Sequence, residues 1–403
     1  MRLNHFRRAG STVLALGAVV TLAACSSGTT TTAADSTTST TAAMQAGPRV
    51  AVSYDGGVQV LDAATLETVA DFDSEDYTRL NLAGDGRNVM VTTSKGFQVL
   101  DTAAGTTDAP QLTDTVFEAE KAGHVVRHGG KTILYADGTS DTTIFDTAAL
   151  ESSDGLPEVE SIPGVEAHHG VSVVLEGGTF LTTVGNANGR TGIEVRNAAG
   201  AVIARNDQCP GVHGEGTAQN EIVVFGCENG VLVYDKGEIT KLDAPDQPYG
   251  RTGNAYVSET SPLVVGDYKN DADAEGSLLQ AVTVIDTVAK TLDVVQMPDG
   301  AEYTWRGVSR GPDDKAYIIG TDGALHVFDP ETREFTASYP VIGEWEGPSE
   351  YQDAHPGISI TGDTAYVTEP DTDSIHAVDL TTGDVTVSSE LDVTPNEFVA
   401  VTD

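Results

Sequence analysis

The chain lacks most of the features that mark common enzyme classes. No Gly-x-Ser-x-Gly elbow and no phosphate-cradling glycine loop occurs, which weakens serine-hydrolase and nucleotide-binding readings. Among 403 residues there are 22 Lys and Arg against 61 Asp and Glu, for a formal charge of −39. Such a surface repels nucleic acid and anionic lipid and attracts cations. No long stretch shows a 3.6-residue apolar period, so little helix is expected. The apolar run Val13–Leu22, of about ten residues, is too short to span a bilayer as a helix. Cysteine is scarce at three residues, and methionine at four.

What the chain does have is a repeated cassette, an apolar strand-like stretch closed by Asp, or once by Asn, and small polar turn residues. It ends at Asp62, Asp101, Asp146, Asn197, Asp235, Asp286, Asp329 and Asp379. The mean period is about 45 residues, the size of one four-stranded propeller blade. Asp85-Gly86, Gly129-Gly130, Asp322-Gly323 and Gly362-Asp363 supply hairpin turns. The ends read as halves of one sector. Arg49-Val-Ala-Val-Ser-Tyr has no inner strand before it, and Pro395-Asn-Glu-Phe-Val-Ala-Val is an inner strand without followers. The expected fold is therefore all-β: a single β-propeller of eight blades, with seven as the alternative, closed by pairing the terminal strands. A polar insert from Tyr268 to Ser277 is expected as a surface loop.

Residues 1–24 read as a lipoprotein signal peptide: Arg2, Arg7 and Arg8, the short apolar core, then Leu22-Ala-Ala-Cys25. This lipobox makes Cys25 the expected lipidation site, and an ordinary signal peptide is the alternative. Residues 25–47, rich in Thr, Ser and Ala, read as a flexible tether. Residues 48–403 form the propeller, hung outside a bacterial cell membrane and held to it by lipid only. The remaining pair, Cys209 and Cys227, flanks an apparent hairpin. A disulfide is expected in an oxidising compartment, with a Cys/His metal site as the competing reading.

The nine histidines fall into different registers. His326 and His376 lie inside cassettes, in what reads as an outer strand, and His128 beside a Gly-Gly turn reads as solvated. His124 stands 22 residues before Asp146, His169 28 before Asn197, His213 22 before Asp235, and His355 24 before Asp379. These positions open the inner strands, where a propeller lines its central funnel. Neutral imidazoles converging there would suit Zn²⁺, with Cu²⁺ possible and Cu⁺ disfavoured by the lack of Cys or Met clusters. His168 is able to replace or join His169, and two separate sites are a further arrangement. Glu166, Glu215 and Asp353 lie nearby as accessory acids, Glu215 also as a base if the metal were hydrolytic.

The strings Glu166-Ala-His-His-Gly-Val-Ser-Val, Cys209-Pro-Gly-Val-His-Gly-Glu215 and Val223-Val-Phe-Gly-Cys227-Glu-Asn-Gly-Val-Leu resemble the AztD-type zinc metallochaperones of bacterial zinc uptake. The resemblance runs over residues 48–403 and is sharpest between His124 and Asp235. It implies an extracytoplasmic propeller that is not an enzyme. It implies one that binds zinc and hands it to the solute-binding protein of a zinc ABC importer. The implied ligands are His124, His168 or His169, His213 and His355. Some members carry a His- and acid-rich segment near the N-terminus, whereas a His-free Thr/Ser tether occupies that place here. A monomer with no nucleic-acid partner is expected. The competing functions are a metal-dependent hydrolase or lactonase and a metal-free interaction propeller.

Overall fold

The computed structural model describes residues 45–152, 155–274 and 276–402. The readings of a signal peptide, of lipidation at Cys25 and of most of the tether fall outside those residues. Among the described residues no helix is long and apolar enough to cross a membrane.

Eight antiparallel sheets follow one another along the chain, and the structure is that of an eight-bladed propeller; the seven-bladed alternative falls. Blade 1 is closed across the two ends of the chain. Its inner strand is Phe398–Val401, which pairs with Arg49–Tyr54 in the register Arg49 to Val401 through Val52 to Phe398. The pairing covers the inner edge of Arg49–Tyr54, which would otherwise lie open. Blade 3 begins with Ala122–His128, blade 4 with Ser172–Val174, blade 5 with His213–Ala218 and blade 8 with Ile358–Thr361.

The cassettes are all third strands, one position inside the outermost strand that the sequence suggested for them. The reason for their closing acid is visible. Oδ1 of Asp62 accepts hydrogen bonds from the backbone N–H groups of Ala64 and Thr65, Asp286 does the same for Val288 and Ala289, and Asp379 for Thr381 and Thr382. Each side chain stops its strand and starts the turn to the outer one. Second and third strands are pressed between neighbouring blades and bury both faces, as in Arg49–Tyr54, whereas outer strands such as Thr291–Gln296 alternate between exposed and half-buried. The cassettes therefore read as continuous apolar runs, and the outer strands as polar ones.

Three smaller expectations resolve here. His326 is buried against Asp322 within its third strand. His128 is not solvated: its ring packs beside Glu221, with Nε2 2.9 Å from Oε1. Residues 270–274 of the polar insert are exposed, as expected.

Candidate metal centre

Three of the funnel histidines come together. His124 stands on the inner strand of blade 3, His169 in the turn leading into blade 4, and His213 at the first residue of blade 5's inner strand. Their ring centroids form a nearly equilateral triangle: 4.9 Å from His124 to His169, 5.2 Å from His124 to His213, and 5.0 Å from His169 to His213. One nitrogen of each lies within 4.8 Å of one nitrogen of the others, a set able to hold a metal ion.

The far side of each ring is fixed by its neighbours. Nδ1 of His124 donates to the Gly170 carbonyl at 2.9 Å, Nδ1 of His213 to the Gly253 carbonyl at 2.6 Å, and Nδ1 of His169 to Oδ2 of Asp137 at 2.6 Å. Carbonyl and carboxylate oxygens only accept, so each Nδ1 carries the hydrogen and each Nε2 presents a lone pair. This arrangement sets the tautomer and aim of a metal-binding imidazole. Nε2 of His169 and Nε2 of His213 lie 3.0 Å apart, near the edge of about 3.3 Å that two nitrogens span on a tetrahedral zinc.

Glycine makes the packing possible. A Cβ on Gly170 would collide with the Thr183 hydroxyl and the Tyr135 ring, and Gly214 has φ +61° with its α-carbon pressed toward the Gly253 carbonyl. These are the glycines of the two His-Gly pairs. The disulfide between Cys209 and Cys227, with Cα atoms 4.9 Å apart, ties the approach to His213 onto the next strand. It excludes the Cys/His metal reading. Deeper support comes from Asp267, which is buried and accepts from the backbone N–H groups of Gly253 and Asn254 and from the Asn254 side chain. It thereby holds the carbonyl that orients His213.

Electrostatics keep His124 and His213 neutral. Burial, then the neighbouring imidazoles, pushes the His124 pKa well below its usual value, and burial pushes His213 down to about 3. His169 is the exposed member, with 42 % of its side chain open to the funnel. The three rings line a cavity of about 920 Å³ that also takes in Glu215, Arg79 and Trp305. Glu215 is pushed up to about 7 by burial.

The other nominated residues lie elsewhere. His168 turns away from the funnel. Its Nδ1 donates to the Glu166 carbonyl and its Nε2 is 3.1 Å from both the Tyr135 and Thr183 hydroxyls. Adjacent residues in extended chain point oppositely, so only one of the His168/His169 pair can face the axis. His355 belongs to blade 8, three blades from blade 3 and three from blade 5, and the structure does not bring it to the cluster. It is buried, with Nδ1 bonded to the Asp353 carbonyl. Glu166 and Asp353 are exposed and contribute carbonyls, not carboxylates, to these rings. Asp137, Gly253 and Asp267 escaped the sequence reading. Asp137 had a signal, the Asp-Gly pair that ends a strand, but that pair reads as an ordinary turn.

The fold and this cluster define a propeller whose funnel can hold a metal ion on three histidines. Comparison with known proteins points to the same group the sequence strings resembled. The chain is similar to the zinc chaperone AztD of Citrobacter koseri, with 22% identity over 364 residues that cover 85% of this chain and 83% of that protein. Two solved structures of C. koseri AztD, one of them apo, superpose with TM-scores of 0.72 and 0.74, covering 88% of this chain and 97% of each. The propeller of dihydro-heme d1 dehydrogenase NirN shares the fold more distantly, with a TM-score of 0.59 and 15% identity over 88% of this chain and 76% of that one. No family model matches the chain.

Proposed function

We propose that this protein is an extracytoplasmic zinc metallochaperone that binds one Zn²⁺ on His124, His169 and His213 and hands it to the solute-binding protein of a zinc ABC importer. The observation that carries this reading is the convergence of three lone pairs whose rings are each held by a bond at the far nitrogen. Similarity to a zinc chaperone supports the same assignment of metal and role. Three protein nitrogens leave a position for an incoming ligand. The exposed His169 is the ring an acceptor reaches first. Transfer would then proceed by exchange, with the acceptor's ligand entering before His169 leaves, so that zinc is never free. Anchoring through Cys25 would keep the donor beside the importer.

The test is transfer from zinc-loaded protein to the purified binding protein in the presence of a fast chelator. Direct transfer delivers zinc faster than the chelator intercepts it. Delivery no faster than spontaneous dissociation rejects the chaperone role. The hydrolase reading draws on one observation, a half-buried Glu215 with its pKa raised to about 7 in the same cavity, the range of a general base. Lactone turnover that requires both His213 and Glu215 would establish it.

A further inference from the structure

Beside the histidines, on other blades of the ring, the funnel wall carries two arginines. Near the mouths of the inner strands Glu397, Arg79, His124, His169 and His213 follow one another on blades 1 to 5, and Arg306 stands at the same level before blade 7. Glu397 is the acid between the two arginines. Nε of Arg79 donates to its Oε1 at 3.2 Å, Arg306 lies 3.4 Å from the same oxygen, and the Tyr77 hydroxyl and the Leu80 N–H also donate to this carboxylate. One carboxylate thus faces two guanidinium groups. The Arg306 amino groups are taken by Oδ1 of Asn396 and the Tyr351 carbonyl. The Nη amino groups of Arg79 have no protein acceptor among the described residues.

Arg79 is held in place. Its guanidinium carbon lies 5.0 Å from the centre of the Trp305 ring, with that of Arg306 at 5.2 Å. Arg79 and His124 line the same cavity, at the mouths of the inner strands of neighbouring blades 2 and 3. This is the opposite of what a bare cation site requires. A guanidinium facing Zn²⁺ in a partly desolvated funnel repels it unless an anion sits between them. A fixed, forked donor pair on an aromatic platform is suited to a carboxylate.

We propose that the funnel contains a subsite for a small free carboxylate: the Nη groups of Arg79 hold one carboxylate, and a metal in the histidine cluster would take its fourth ligand from this anion. The inference rests on the metal reading above and adds the identity of the fourth ligand. The carboxylate would neutralise the surplus charge of the loaded funnel and cap the metal until an acceptor displaces it.

Succinate, a weak zinc ligand in water, is the probe. It is titrated into zinc-loaded and metal-free protein by calorimetry, and into Co²⁺-substituted protein followed by its visible bands, with a chloride salt of equal ionic strength as control. Zinc stoichiometry is measured separately in every variant. The expected result is saturable binding to loaded protein, at least about tenfold weaker without metal, with a change in the Co²⁺ bands. Arg79→Gln should lose that binding while still taking one zinc. Arg79→Lys, which keeps the charge beside Glu397 but not the fork, should lose most of it. Zinc binding with no succinate effect, or equal succinate binding in wild type and Arg79→Gln, overturns the subsite and leaves the metal reading standing. Slower transfer to the acceptor in Arg79→Gln with unchanged succinate binding makes Arg79 a contact for the partner protein and also overturns it. Failure of wild type to bind zinc rejects the metal reading itself.

Discussion

Nε2 of His169 and Nε2 of His213 face each other at 3.0 Å, while both rings spend their hydrogen at Nδ1, on Asp137 and on the Gly253 carbonyl. Two lone pairs at that distance repel unless a proton or a metal lies between them. A shared proton is disfavoured because burial already pushes His213 down to about 3. The relationship suits a cation, and His124 supplies a third nitrogen from a neighbouring blade.

Substitution separates the ligands from the histidines that merely share their sequence register. His213→Ala should lower zinc affinity by more than about a hundredfold, beyond the loss expected for an orienting partner. His355→Ala should leave it within a few-fold, because blade 8 lies across the ring. Competition against a chromophoric chelator at neutral pH measures both. Equal losses in the two variants would restore the four-histidine site and refute the geometry.

Asp137 provides a finer test. Its carboxylate holds Nδ1 of His169 and also accepts from the Gly170 N–H at 3.3 Å. Asp137→Asn keeps an acceptor but loses the charge, and Asp137→Ala loses both. Affinity should fall by about 10- to 100-fold across the pair, with Ala the worse. Unchanged affinity in Asp137→Ala would show that His169 needs no orienting partner.

How far the sequence foretold this site follows from the distances involved. The eight cassettes and the split blade were legible because strand, turn acid and hairpin glycine are local signals that repeat. Each His-Gly pair was also local, and the structure gives its cause: the bulge at Gly214 and the close packing at Gly170. The choice between His168 and His169 was not legible, since neighbours in sequence differ only in which way the backbone turns them. His355 misled because a shared register sets a residue at the mouth of its own blade's inner strand but does not bring it within reach of the others: its blade lies across the ring and its imidazole stays buried beside the Asp353 carbonyl. Asp267 was hidden altogether. It acts on His213 through a backbone carbonyl of another loop, a relation with no sequence spacing.

Stability should respond to acid through His355. Burial, and then the charge of Arg306, pushes its pKa down to about 4, whereas an unfolded histidine titrates near about 6.5. Below about pH 6.5 the unfolded chain takes up a proton that the folded chain refuses until about pH 4. The contribution of this group is therefore full above about pH 6.5 and is lost as pH falls toward about 4. His355→Gln cannot titrate. Its urea midpoint should drop less than that of the wild type between pH 7 and pH 4.5, all other groups being common to both. Parallel drops would mean His355 is protonated in the native state.

The disulfide should matter more to the empty protein than to the loaded one. Cys209 and Cys227 are 18 residues apart and both fully buried in the core cluster shared by blades 3 to 5. Closing a loop of that size restrains the unfolded chain by about 3 kcal/mol, and here the loop includes His213. Double replacement by Ala should lower the metal-free stability by about that amount. Because Gly253 and Gly214 still set the ring, zinc should continue to bind. Bound zinc adds about 4 kcal/mol at a thousandfold excess over its dissociation constant, enough to offset the loss. Thermal melts of both forms, with and without zinc, test this directly. A variant whose melting temperature no longer rises with zinc would show that the bridge, and not the carbonyl of Gly253, aims His213 at the metal.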